Sequence, residues 1–102
     1  MESEYIYHVT TLVEWEQAKK EGEYKPSGYD KEGFIHCSIE RQVAGVLDRF
    51  YKGQTGLVKL KIEKAKVSRP VLFELAADLD ELFPHIYGTL NIDSVVEVIT
   101  IT

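Results

Sequence analysis

The change of periodicity at Ser38 constrains this chain most. From Gly33 to Ser38 the side chains alternate, with Phe34, His36 and Ser38 on one face and Ile35 and Cys37 on the other, which is the two-residue period of a strand. Directly afterwards Ile39, Val43, Val46, Leu47 and Phe50 fall on one stripe of a helix that ends near Gly53, with Ser38 suited to cap its first turn. The chain begins the same way. Tyr5 to Thr10 is rich in β-formers, with Tyr5, Tyr7 and Val9 on one face and Ile6, His8 and Thr10 on the other. Thr11 and Glu14 then fit a capping box, Leu12, Trp15 and Ala18 recur at helical spacing to about Lys20, and Gly22 can supply the left-handed residue that closes the helix.

The rest of the chain is strand-like. Pro26, Ser27, Gly28 and Asp30 give turn chemistry for a main loop, and Leu57 to Ile62 and Pro70 to Leu75 read as strands joined by a basic segment. Ala76 to Leu82 reads as an acidic turn or single helical turn. Phe83 to Leu90, with Pro84 and Gly88 beside two aromatic rings, reads as a compact loop, and Ser94 to Ile101 as a closing strand. Strands and helices that do not alternate strictly predict an α+β domain: one twisted, largely antiparallel sheet carrying two main helices. A length of 102 residues with 44% apolar side chains supports one core, hence a single domain over residues 1–102.

Charge and cysteine content narrow the function classes. Seventeen acids against twelve bases, a net −5, leave no cationic excess for a long nucleic acid, although a single pocket for a short nucleotide needs few local donors. The lone Cys37 cannot form an internal disulfide and MESEYIYH lacks the pattern of a secretory signal, so a cytoplasmic location is expected. No apolar run reaches the roughly 20 residues needed to span a bilayer, so no membrane attachment is expected.

The three histidines occur in related company: Tyr7-His8-Val9-Thr10, Phe34-Ile35-His36-Cys37-Ser38 and Phe83-Pro84-His85-Ile86-Tyr87-Gly88. In the first two, imidazole and hydroxyl share a strand face roughly 7 Å apart, so both can address one ligand. Imidazole donates, accepts or changes charge near neutral pH, and the flanking rings offer planar walls. The chemistry suits a small nucleotide-like ligand, with His8 and His36 as acid/base or hydrogen-bonding groups. Tyr7, Thr10, Phe34, Ser38, Phe83, His85, Tyr87 and Gly88 are its candidate contacts, and Gln42, one helical turn after Ser38, can point to the same end. Ser38 and Thr10 are equally explained as helix caps. Cys37, facing away from His36, reads as a core residue rather than a nucleophile.

The ordered set Ile6-Tyr7-His8, Trp15, Gly33-Phe34-Ile35-His36-Cys37-Ser38, Gln42 and Phe83-Pro84-His85-Ile86-Tyr87-Gly88 resembles the bacterial domain of unknown function 952 family over nearly the whole chain. That family is similar to the ADP-ribosyltransferase superfold, whose first strand carries an aromatic-His-Gly-Thr motif; Tyr7-His8-Val9-Thr10 matches it except at Val9. Ile35-His36-Cys37-Ser38 is similar to the Val-His-Leu-Ser strand of RNA 2′-phosphotransferases of that superfold. The resemblance implies NAD as cofactor or substrate, with His8 on its ribose, Thr10 on the nicotinamide side, and His36 and Ser38 lining the cleft. Two features depart from it: no acid stands between Tyr87 and Leu90, and no Arg immediately precedes the His36 strand. The resemblance therefore leaves turnover open.

Two other classes compete. Paired His-hydrophobe-Thr/Ser motifs resemble two-histidine phosphoesterases, which carry them on pseudo-repeated halves that this chain lacks. A three-histidine zinc site lacks the short ligand spacing of strong metal motifs, so no metal is expected. A non-catalytic module binding a small ligand or metal is the remaining alternative.

Overall fold

The computed structural model describes residues 4–75 and 81–102. Strand β1 (Tyr5–Thr11) runs into helix α1 (Leu12–Glu21), where Thr11 accepts the Glu14 backbone N–H at its N-terminus and Gly22, at φ 88°, closes its C-terminus. Trp15 and Ala18 are buried as the helical spacing requires, whereas Leu12 is 46% exposed. The expected main loop is more ordered than its composition predicts: it contains β2 (Glu23–Tyr24) and a short helix α2 (Tyr29–Glu32) ending at Gly33 in the left-handed region. Next come β3 (Ile35–His36), a 3-10 turn over Glu40–Gln42, α3 (Val43–Phe50), β4 (Leu57–Glu63) and β5 (Val71–Leu75). The chain closes with β6 (Leu82–Ile86), β7 (Leu90–Asn91) and β8 (Val95–Thr100).

The expected single sheet is three antiparallel pieces: β1-β4-β8, β2-β7 and β3-β6-β5. The principal core lies under the Ile6 face of β1, joining Ile6, Trp15, Tyr24, Ile35, Leu60 and Ile86. On the opposite face Tyr7, Val9 and Leu57 pack on Val43 and Leu47 of α3, so the first sheet is covered on both sides.

Two corrections bear on the site. Phe83 to Leu90 is not a compact loop, because Leu82–Ile86 is the central strand of its sheet, paired to β3 and β5. Pro84 fits there for a specific reason. Its carbonyl accepts the Cys37 N–H at 2.9 Å, but it has no N–H to return, so the β3–β6 pairing stops after His36 and His85. The chain then changes partner: Ser38 exchanges two 2.7 Å backbone bonds with Tyr7 and ties this sheet to β1. Ser38 is thus a strand bridge and not the helix cap. The turn into α3 is held instead by Gln42, whose Oε1 accepts the Ile39 N–H at 3.0 Å. The acidic turn expected at 76–82 lies largely outside the described residues.

Candidate functional site

The partner switch at Cys37 is what assembles the cleft. β1 brings Tyr7 and His8, the β3 segment brings Phe34, His36 and Ser38, and β6 brings Phe83 and His85, all lining one cavity of about 630 Å³. That volume is typical of small-molecule sites. An adjoining cavity of about 490 Å³ shares His8, Phe34 and His36 and adds Thr10, Glu14 and Tyr24. Val46 and the 61% exposed Phe50 edge the larger cavity, so the α3 stripe serves the cleft as well as the core. Gln42, Tyr87 and Gly88 do not line either cavity.

His8 is buried and both ring nitrogens are engaged. Nδ1 lies 2.6 Å from the His36 carbonyl, which can only accept, so Nδ1 carries a proton. In the neutral ring Nε2 is then an acceptor, and the Tyr24 hydroxyl, 2.8 Å from Nε2 and 2.9 Å from Thr10 Oγ1, shares its single proton between these two acceptors. Thr10 in turn donates to Glu14 Oε2 at 2.8 Å. Burial pushes the His8 pKa down to about 4, only partly opposed by its bond to the His36 carbonyl and by the Glu14 carboxylate. Burial likewise drives the Tyr24 phenol upward. His8 is therefore a neutral, doubly anchored wall of the cleft at ordinary pH.

His36 and His85 stand opposite each other in the β3–β6 register, ring centroids 5.1 Å apart and planes at 80°. Phe34 packs on both, stacked on His85 at 4.1 Å and edge-on to His36 at 4.7 Å. His85 is 6% exposed and donates Nδ1–H to Glu74 Oε1 at 2.8 Å; the Tyr87 hydroxyl donates to the same oxygen at 2.5 Å. These two bonds, Tyr87's foremost, hold the Glu74 carboxyl below its ordinary pKa, while the Tyr87 phenol is raised by the same contact. Tyr87 thus acts from behind the cavity wall, through Glu74. His36 has its side chain 59% exposed, with Nε2 3.4 Å from Glu32 Oε2.

Cys37 sits in the core at 3% exposure and burial pushes its thiol up, so it is a poor nucleophile. Among the described residues no group of three or more His, Cys, Asp or Glu stands close enough to hold a metal ion, and no helix is long and apolar enough to cross a membrane.

Sequence reasoning missed Tyr24, Glu32 and Glu74. A usable signal existed for Glu74, the one acid in the apolar strand Val71-Leu72-Phe73-Glu74-Leu75. In the observed register it is diagonal to His85, because Leu72 opposes His85 and Glu74 opposes Phe83.

Gly88 shapes the turn after β6. Its φ is 147°, and an added Cβ would lie 2.6 Å from Arg69 Cγ and 2.7 Å from Cδ. Gly88→Ala is expected to destabilise the fold by about 1–3 kcal/mol, from backbone strain plus displacement of the arginine stem. Urea denaturation measures this, and the double variant with Arg69→Ala, which removes the Cγ and Cδ clashes but keeps Cβ at 3.0 Å, should recover most of the steric part and none of the strain.

These elements define a class: a small α+β domain whose antiparallel sheets meet around a histidine-lined cleft. Residues 9–98 match the profile of DUF952, described as a protein of unknown function, and the chain belongs to that family. Protein CC0527 from Caulobacter crescentus is similar in structure. Its crystal structure is 27% identical with a TM-score of 0.84, covering 92% of this chain and 82% of that one. Its solution NMR structure gives 28% identity and a TM-score of 0.79, covering 94% and 83% respectively. No curated protein matches the sequence.

Proposed function

We propose that the cleft binds a small nucleotide-like ligand of the NAD or ADP-ribose class, on a scaffold of the ADP-ribosyltransferase type. The observation that supports this reading is the convergence of His8, His36 and His85, from three remote segments, on one cavity whose walls include Tyr7, Phe34 and Phe83. Planar rings supply stacking surface for a base or nicotinamide, while the exposed His36 and the inward His85 supply polar contacts. Thr10 borders the adjoining cavity, where a ribose or second ring fits, and Ser38 lies on the wall between β1 and β3. Neutral His8 shapes this surface through its ring edge, since its nitrogens are already bonded. The unpaired, buried Cys37 fits a cytoplasmic protein.

A histidine-selective NMR titration with NAD and ADP-ribose tests the reading. The ring signals of His8, His36 and His85 should shift together and saturate at millimolar ligand. Unmoved signals in a folded sample would remove nucleotide binding as the function.

A further inference from the structure

We infer that His85 and His36 form an acid–base pair that hydrolyses a singly charged phosphodiester of a nucleotide, with Glu74 as the positioning residue for His85. This rests on the nucleotide reading of the cleft and names its substrate class and reaction.

The geometry of His85 fixes its role first. Glu74 accepts the Nδ1 proton at 2.8 Å, so the neutral ring presents Nε2 as a bare lone pair. Among the described residues Nε2 has no hydrogen-bond partner, and His85 lines the larger cavity. A carboxylate behind one nitrogen and an open second nitrogen is the arrangement of a positioned general base. The Tyr87 bond to the same Glu74 oxygen fixes that carboxylate in turn. His36 differs in exposure and in how firmly it is held. Its side chain is 59% exposed and its Nε2 stands 3.4 Å from Glu32 Oε2, a looser contact than that of His85 with Glu74, so in the pair it exchanges its proton with the solvent-facing side and gives one where His85 takes one. With ring centroids 5.1 Å apart and planes at 80°, the two imidazoles touch edge to face, so a reacting group lies to one side of both rings, within reach of each.

The lining selects the electrophile. Cys37 is no nucleophile, so water attacks directly. Among the described residues no Lys or Arg lines either cavity, while Glu32 borders both and Glu14 the smaller. A phosphomonoester, with two charges on one phosphorus, would meet no fixed cation, but a diester phosphorus carrying one charge needs only the N–H of an imidazole. A five-membered cyclic phosphodiester suits this best, because its ring strain lowers the demand for transition-state stabilisation. In the step, water gives a proton to His85 Nε2 as its oxygen bonds to phosphorus. The bond from phosphorus to the leaving ribose oxygen breaks, that oxygen keeps the electron pair, and it takes the proton of His36. The product is a phosphomonoester, and solvent exchange returns both rings to their starting states.

The test uses adenosine 2′,3′-cyclic phosphate with the intact protein, followed by phosphorus NMR for ring opening and by histidine ring shifts for binding. Wild type should open the ring above the buffer blank. His36→Asn and His85→Asn should each lower kcat by about 100-fold or more. Glu74→Gln keeps an acceptor for Nδ1–H but removes the charge, and should lower kcat at least tenfold with KM unchanged. That split separates positioning from a merely structural role, and it stands even where the buried His85 variant fails to fold. Binding without ring opening overturns the acid–base pair while leaving the nucleotide pocket intact. Failure to bind any nucleotide overturns both, and an unchanged kcat in Glu74→Gln overturns the assignment of Glu74.

Discussion

Folding stability is expected to fall by about 3 kcal/mol between neutral pH and pH 4 through His8 alone, with about 2 kcal/mol already lost at pH 5. The cause is the depressed basicity of a ring that burial holds neutral, its pKa moved from 6.5 to about 4. Unfolding exposes the imidazole, which then binds a proton at any pH below 6.5. The folded state cannot match this until about pH 4. The unfolded chain therefore holds more protons throughout that window, so stability is complete above 6.5 and declines as the pH falls through it. Urea denaturation at pH 7.5, 6, 5 and 4 measures the slope. His8→Asn retains an amide donor for the His36 carbonyl and has nothing to titrate, so its curve should lie lower at pH 7.5 but lack the His8 component of the slope. The depressed Glu74 and Glu81 carboxyls act in the same direction, but near and below the ordinary carboxylate range. The difference between wild type and His8→Asn from pH 6.5 to 5 therefore reads His8, since the other groups are common to both proteins. Identical slopes in the two proteins would show that His8 is not held neutral by its surroundings.

This neutral anchor shows what could be read from sequence and what could not. β1 and α1 were legible with their ends, because the Thr11 cap and the left-handed Gly22 are chemistry among neighbours. The alternation that put His8 with Thr10 and His36 with Ser38 was also legible, and the motifs around all three histidines led to residues that share one cavity. What stayed hidden depends on contacts across the fold. Pro84 and Gly88 made Phe83 to Leu90 look like a loop, since a proline in a central strand is tolerated only where its missing donor meets no demand. Here the demand ends with the single bond from Cys37 N–H to the Pro84 carbonyl, because the next residue, Ser38, leaves this ladder for β1. Ser38 looked like a cap because local rules favour it there, and a long-range bridge to Tyr7 overrode them. Tyr24 gave little local signal as a site residue, and the signal of Glu74, a lone acid in an apolar strand, names no partner until the strand register is known. Their importance comes from a 2.8 Å contact with His8 in one case and with His85 in the other.

Gln42 joins the helical side of the cleft to the strand that carries His85, and Gln42→Ala is expected to destabilise the protein by about 2–4 kcal/mol. The side chain is 5% exposed. Its Oε1 accepts the Ile39 N–H, and its Nε2 donates to Glu81 Oε1 at 2.6 Å and to the Leu82 carbonyl at 2.9 Å. Truncation leaves the Ile39 donor and the Leu82 acceptor without these partners, whereas the partly exposed Glu81 regains water. Leu82 opens β6, and Phe83 and His85 follow on the same strand, so loosening its start should also displace the cleft wall. The His85 ring signal should shift in Gln42→Ala without any ligand, alongside the lower urea midpoint. Gln42→Glu refines the argument. It keeps an acceptor for Ile39 but turns the donor into a carboxylate oxygen facing Glu81 and the Leu82 carbonyl, two groups that cannot donate to it at neutral pH. It should therefore be at least as damaging as alanine at pH 7 and partly recover as the pH falls into the carboxylate range, where the introduced carboxyl gains a proton and donates again. Wild-type stability in Gln42→Ala would mean that water replaces the amide freely and that the turn and β6 are held together by packing alone.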